Sequence, residues 1–164
     1  FAENAIFRQH APYLLNLASR LLGRMSDADD AVQDTFIVAF QKLEQLSDPS
    51  ALRPWLIRIM ISKVRKSFRL RRIKILFGVD NGQNDATLTM LALHDARPDL
   101  RAELKEIDDG LQRAPAEWRT AWMLHRVEGM SIHETSRAVG RSVATVKRYV
   151  NAVDVSIQAR RGAP

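Results

Sequence analysis

Three sets of polar side chains stand at spacings that could do chemistry. Arg58, Arg65, Arg69 and Arg72 recur at helical intervals. Cations in that pattern neutralise successive phosphates and release counterions, with a salt slope of about −0.9 per contact on duplex and about −0.7 on single strands. A second set gathers around Ser142: Arg141 before it, then Thr145, Lys147 and Arg148. In the first turns of a helix a threonine offers a methyl and a hydroxyl to a base edge, while lysine and arginine reach guanine acceptors or phosphates. The third set is acidic, Asp27, Asp29, Asp30 and Asp34, with Gln33 among them. Grouped carboxylates suit a divalent cation or a glycosidase pair. Here the positive end of a helix dipole already accounts for Asp29 and Asp30, and Gln33 and Asp34 on the exposed side leave open a docking surface for a basic partner.

No catalytic constellation accompanies these sets. None of His10, His94, His125 and His133 has a second histidine at metal-ligand spacing. His133-Glu134 is not a zincin motif, because position 137 is Arg. Phosphate-binding loops, dinucleotide glycine patterns and nucleophile elbows are missing. Zero cysteines exclude a disulfide framework, thiolate metal sites and a cysteine nucleophile. The chain therefore reads as a binding protein, not an enzyme, with no catalytic residue, metal or cofactor expected.

The elements that must position the three sets are helical, because apolar residues recur three and four apart and nowhere alternate. Leu14, Leu17, Leu21 and Leu22 form a first stripe, and Ser26–Asp29 reads as a capping box opening a second helix with Val32, Phe36, Phe40 and Leu43 inward. That helix is expected to end near Leu46–Ser50. A third starts at Trp55, with Pro54 suited to a first turn, and turns Leu56, Ile59, Met60 and Val64 to the core and the arginines away from it. Trp55 and Phe68 on the same segment can stack on unpaired bases; for Trp55 a core position competes with that role.

Toward the C-terminus, Leu104 and Leu111 precede a break at Ala114-Pro115, and Trp118, Trp122 and Val127 follow on a helix ended by Gly129. Ser131–Glu134 is a second capping box, Val139-Gly140-Arg141 a turn, and Ser142 the cap of a last helix buried along Val143, Val146, Val150, Val153 and Ile157. Two helices joined by a three-residue glycine turn fit a helix-turn-helix, whose second helix enters a DNA major groove.

A chain of 164 residues holds one ordinary domain or two small ones. Its net charge of +6 and pI near 10.2 suit an acidic partner, nucleic acid first. Residues 1–50 are more acidic than basic, Arg53–Lys74 holds nine Lys/Arg and no carboxylate, residues 75–112 are acidic, and 113–164 are basic again. The turn-rich stretch Phe77–Asp99 reads as a linker, with a short helix at Thr87–Leu93. The expected domains are 1–75 and 101–164, joined by a flexible linker at 76–100. No apolar run is long enough to span a bilayer, and residues 1–20 lack a signal-peptide core; Phe1 in first place suggests that the initiator end is missing.

These residues, in this order, resemble the bacterial sigma-70 family of transcription initiation factors, and within it the short extracytoplasmic-function (ECF) group, over nearly the whole chain. Asp27-Ala-Asp-Asp-Ala-Val-Gln-Asp-Thr-Phe36 looks like the family's region-two signature. Trp55-Leu-Ile-Arg-Ile59 looks like the approach to the helix that melts and reads the minus-ten element, and Leu46–Arg53 matches a loop that captures a flipped base. Leu111–Pro115, Arg119, Glu128-Gly-Met-Ser131, Glu134, Gly140, Ser142 and Thr145-Val-Lys147 are similar to region four, which binds the minus-thirty-five element. Departures are Ser62 in place of the usual Asn, Lys66 in place of Asp, and Thr135-Ser136 in place of Ile-Ala, which implies looser packing of that helix.

The resemblance implies an all-α, two-domain cytoplasmic protein of bacteria. Asp30, Gln33 and Asp34 would meet the beta-prime clamp helices of core RNA polymerase, which also presents its beta flap. Arg58, Arg65, Arg69, Arg72, Arg141, Ser142, Thr145, Lys147 and Arg148 would meet promoter DNA, and an anti-sigma factor would hold the protein inactive. The same residues admit two other readings: a sigma-like decoy that binds an anti-sigma factor without promoters, for which Ser62 and Lys66 speak, and a plain helix-turn-helix regulator that binds duplex alone.

Overall fold

A computed structural model of the chain describes residues 2–80 and 98–161. Every regular element among them is helical: α1 Ala2–Leu22, α2 Met25–Gln41, α3 Leu52–Leu76, α4 Pro98–Arg113, α5 Ala116–Trp122, α6 Ile132–Val139 and α7 Val143–Arg161. Short 3-10 turns occupy Leu43–Gln45 and Pro49–Ala51, and a π turn at Met123–Val127 continues α5. The fold is all-α, as the apolar spacing predicts. Two compact units, Phe1–Leu88 and Thr89–Pro164, divide the chain. Most of the expected linker, including the helix expected at Thr87–Leu93, lies outside the described residues.

In the N-terminal unit α1, α2 and α3 pack against one another. The expected leucine stripe of α1 is buried, together with Val32 and Phe36 of α2. On α3 the buried face is Leu56, Ile57, Met60, Ile61 and Val64. Ile57 and Ile61 thus replace the expected Ile59, which is only half-buried. The reason is that α3 touches both α1 and α2, so its apolar face is wider than a single stripe and centred one position away.

The first capping box is also corrected. Gly23, at φ 67, donates its N–H to the Ser19 carbonyl at 2.8 Å and ends α1. Arg24 is extended and its carbonyl accepts from Ala28, so α2 starts at Met25, with Arg24 and not Ser26 at the cap. A two-residue corner leaves no room for a separate Ser cap. Asp27 sits in the first turn, where the helix dipole favours it. α2 ends at Gln41, short of the expected Leu46, and the chain turns through the 3-10 segments instead.

In the C-terminal unit the expected stripe Val146, Val150, Val153 and Ile157 is buried on α7, with Val143 half-buried. α4 crosses α7 closely at Gly110, where a Cβ would lie 2.9 Å from Ile157 Cγ1, so glycine is required by the approach. The second capping box is complete: Ser131 Oγ accepts from the Glu134 N–H at 3.2 Å, and Glu134 Oε2 accepts from the Ser131 N–H at 2.7 Å. Gly140 closes α6 in the left-handed region, at φ 65.

Two carboxylates tie this unit's stability to pH. For Asp154 burial alone would raise the pKa, but hydrogen bonds from Arg126 and from Trp122 Nε1 (2.8 Å) outweigh it and hold the group below its ordinary value. Hydrogen bonds from Ser131 lower Glu134 in the same way. A carboxyl lowered by folding stabilises fully above its unfolded pKa, 3.8 for Asp and 4.5 for Glu, and that share is lost as pH falls through the folded value. The melting temperature of this unit should therefore hold from pH 7 to about 5 and fall below about 4.5, with a shallower fall in Asp154→Asn, as followed by circular dichroism.

Candidate nucleic-acid and docking surfaces

Arg58, Arg65, Arg69 and Arg72 are all exposed on α3. At 100° per residue they fall within roughly 60° of one another, a straight stripe that borders the buried face at Ile61. Ser62 flanks that stripe; its hydroxyl turns back on the Ile59 carbonyl at 2.6 Å. Lys66 is exposed beside it. Trp55 and Phe68 are half-buried, each with part of its ring surface outside the core.

The loop that leads into α3 is held by its own side chains. Asp48 Oδ1 accepts from the Ser50 N–H at 2.9 Å and from the Ser50 hydroxyl at 2.7 Å, which lowers the Asp48 pKa. At its end the Arg53 guanidinium lies 4.1 Å from the centre of the Tyr13 ring. These contacts fix the segment 46–53 without burying it.

Asp30, Gln33 and Asp34 are exposed on one face of α2. Sequence reasoning missed the apolar part of that face. Ile37 continues the same helical phase and is 50% exposed, and Phe7 of α1, 45% exposed, packs on Phe36 at 4.8 Å between ring centres. Together with Pro12, Leu15 and Phe40 they line an open groove of about 840 Å³, with Asp29 and Gln33 on its wall. The available signal was Ile37 at i+3 and i+4 from Asp34 and Gln33, out of phase with the buried Val32–Phe36 stripe. Among the described residues no three of Asp, Glu and His gather as metal ligands.

At the start of α7 Ser142 caps the helix as expected: its Oγ accepts from the Thr145 N–H at 3.2 Å and its hydroxyl meets Thr145 Oγ1 at 2.8 Å. Lys147 and Arg148 are exposed on the side away from the valine stripe, and the Arg148 guanidinium lies 5.9 Å from the Tyr149 ring centre. Arg141 is exposed but engaged, its Nε donating to Glu117 Oε1 at 2.8 Å. That bond raises the Arg141 pKa. Thr135 is fully buried on α6 and its Oγ1 lacks a hydrogen-bond partner, while the Ser136 hydroxyl is spent on the turn that follows.

Residues 6–73 match the Sigma-70 region 2 family. The RNA polymerase sigma factor NccH of Alcaligenes xylosoxydans xylosoxydans is 30% identical over 151 residues, 92% of this chain and 81% of that protein. The ECF RNA polymerase sigma factor SigM of Mycobacterium tuberculosis is 32% identical over 153 residues, covering 90% and 70%. Among solved structures, the sigma factor RpoE in complex with the anti-sigma factor NepR, from Bartonella quintana, superposes with a TM-score of 0.69 over 93% of this chain and 92% of that one. At 23% identity that likeness is one of fold. Family match, relatives and helical architecture agree, and the chain belongs to the sigma-70 family of RNA polymerase sigma factors, in its extracytoplasmic-function group.

Proposed function

We propose that this protein is the adaptor that brings core RNA polymerase to selected promoters, dividing the work between its units and catalysing nothing itself. The N-terminal unit, a region-two domain over residues 1–75, docks on the polymerase beta-prime clamp helices through Asp30, Gln33 and Asp34, with Ile37 at the apolar centre of the contact. Its α3 stripe of Arg58, Arg65, Arg69 and Arg72 engages the minus-ten strand beside the 46–53 loop. The C-terminal unit, a region-four domain over residues 101–164, reads the minus-thirty-five duplex with α6 and α7 as a helix-turn-helix, through Arg141, Ser142, Thr145, Lys147 and Arg148, and meets the beta flap. Two modest modules on one chain gain apparent affinity by effective concentration. The Bartonella sigma factor is in complex with an anti-sigma factor; one that covered these faces would hold this protein inactive, and the working compartment is the bacterial cytoplasm.

The observation that carries this reading is α3, whose buried face and arginine stripe are centred in different directions, so that one face packs in the core while four exposed cations are presented to solvent in a row. In vitro transcription with core polymerase and genomic promoter fragments tests it: RNA starts that need the protein support it. Polymerase binding without any start would replace it by the decoy reading, and strong duplex binding without polymerase by the plain regulator.

Arg148→Ala gives a narrower check. An exposed arginine that makes a bidentate base contact contributes about 1–3 kcal/mol of discrimination. The variant should weaken binding of the upstream element roughly 5- to 150-fold by that measure while its affinity for core polymerase changes less than about two-fold. Equal loss of both, in a folded variant, would remove Arg148 from the DNA surface.

A further inference from the structure

Arg141 stands in the turn between α6 and α7 and is held by both its backbone and its side chain. The Ser136 hydroxyl donates to the Arg141 carbonyl at 2.5 Å, and the Arg141 N–H donates to the Ser136 carbonyl at 3.2 Å. Its Nε donates to Glu117 Oε1 at 2.8 Å. The other oxygen of Glu117, Oε2, accepts from the Tyr149 hydroxyl at 3.2 Å, and the Tyr149 ring stacks on Trp118 at 5.5 Å. One carboxylate in the first turn of α5 thus links the turn to α7.

The bond to Glu117 is made through Nε, so the two terminal nitrogens that form the outer edge of the planar guanidinium are not the donors it uses. The side chain stays 44% exposed. A guanidinium fixed at Nε and open at its outer edge is set for two parallel hydrogen bonds to an anionic oxygen pair. Holding it before the ligand arrives removes part of the ordering cost of binding. We propose that Glu117 and Ser136 are positioning residues that preset Arg141 as a clamp for a DNA backbone phosphate. The proposal rests on the reading of α6 and α7 as the duplex-binding element.

The sign of one substitution separates positioning from plain charge. A carboxylate beside a DNA-binding face repels phosphate, so on charge alone Glu117→Ala would strengthen binding. If Glu117 holds the clamp, the same change weakens binding and removes one phosphate contact. The test measures the full chain on a labelled random-sequence duplex by fluorescence anisotropy, between about 50 and 200 mM KCl. Arg141→Ala and Glu117→Ala should each weaken binding about five- to ten-fold near 0.1 M salt and lower the salt slope by about 0.9. The double variant should bind no more weakly than Arg141→Ala, because the two act as one.

Glu117→Gln removes the same charge but keeps an acceptor for Nε, and it should restore binding to within about two-fold of wild type. Ser136→Ala, which leaves α5 untouched, should give a smaller loss in the same direction. Tighter or unchanged binding by Glu117→Ala, with an unchanged slope, would overturn the proposal. Lys147→Ala/Arg148→Ala tests the underlying reading in the same assay. If that variant binds as well as wild type, or wild type shows no salt-dependent binding, the assignment of α7 to DNA fails and this proposal with it.

Discussion

Leu17→Ala is expected to destabilise the N-terminal unit by about 2–5 kcal/mol and to leave the melting of the C-terminal unit in place. Leu17 is fully buried on α1, flanked in the same stripe by Leu14 and Leu21. Truncating it removes the transfer free energy of the lost methyl groups and leaves a cavity lined by neighbours that cannot all collapse inward. In a unit of this size each kcal/mol lowers the melting temperature by about 4–8 °C, so the shift should exceed roughly 8 °C. Since the chain divides into two compact units, the C-terminal transition is expected to stay in place. Thermal unfolding of the full chain should therefore split into two steps, and polymerase binding should be lost at a temperature where duplex binding persists. One transition that shifts as a whole would mean that the units fold cooperatively.

Much of this fold was legible because helical periodicity is a property of the chain itself. The α1 stripe and the valines of α7 needed only the spacing of apolar residues. The Ser131–Glu134 capping box was legible for a related reason, since both partners lie within one turn. The failures come where a distant contact or a corner decides. The start of α2 depends on Gly23 turning left-handed and passing the cap to Arg24, and a local Ser-x-x-Asp pattern carries no information about that corner.

The surfaces divide in the same way. That Arg58, Arg65, Arg69 and Arg72 share a face follows from their numbers. That Arg141 is tethered to Glu117, twenty-four residues away, follows from nothing local. The Thr135-Ser136 departure is instructive, since polarity in a helix read as core suggests only loosened packing. Thr135 is indeed buried with an unsatisfied hydroxyl, yet Ser136 has a specific partner in the Arg141 carbonyl. Replacing an apolar side chain there changes what the turn can hold, as well as how the helix packs.

Arg71 shows how far a charge run can mislead. It lies between Arg69 and Arg72 in the basic segment, and its type alone would place it on the arginine ridge. Its phase says otherwise: Arg71 follows Val64 by seven residues and Met60 by eleven, which puts it in line with the buried face. In the structure one terminal nitrogen reaches Asp27 at 2.6 Å and the Leu22 carbonyl, at the end of α1, at 2.9 Å. It joins all three N-terminal helices at one corner. The side chains of the pair are 12% and 30% exposed, between a surface ion pair worth about 0–1 kcal/mol and a buried one whose disruption costs about 3–5. Arg71→Ala should therefore cost about 2–3 kcal/mol by thermal or urea unfolding, because it strips Asp27 and a helix-terminal carbonyl of a shared donor. Arg69→Ala and Arg72→Ala should stay within about 0.5 kcal/mol of wild type in the same experiment. On single-stranded minus-ten oligonucleotides with polymerase present the order reverses, each ridge variant lowering the salt slope by about 0.7. There Arg71→Ala, measured where it is still folded, should leave the slope unchanged. A stable Arg71→Ala that lost a phosphate contact would put Arg71 back on the ridge and leave the corner of α1, α2 and α3 to be held by apolar packing and the bidentate Arg24–Asp80 pair, at 2.6 and 2.7 Å.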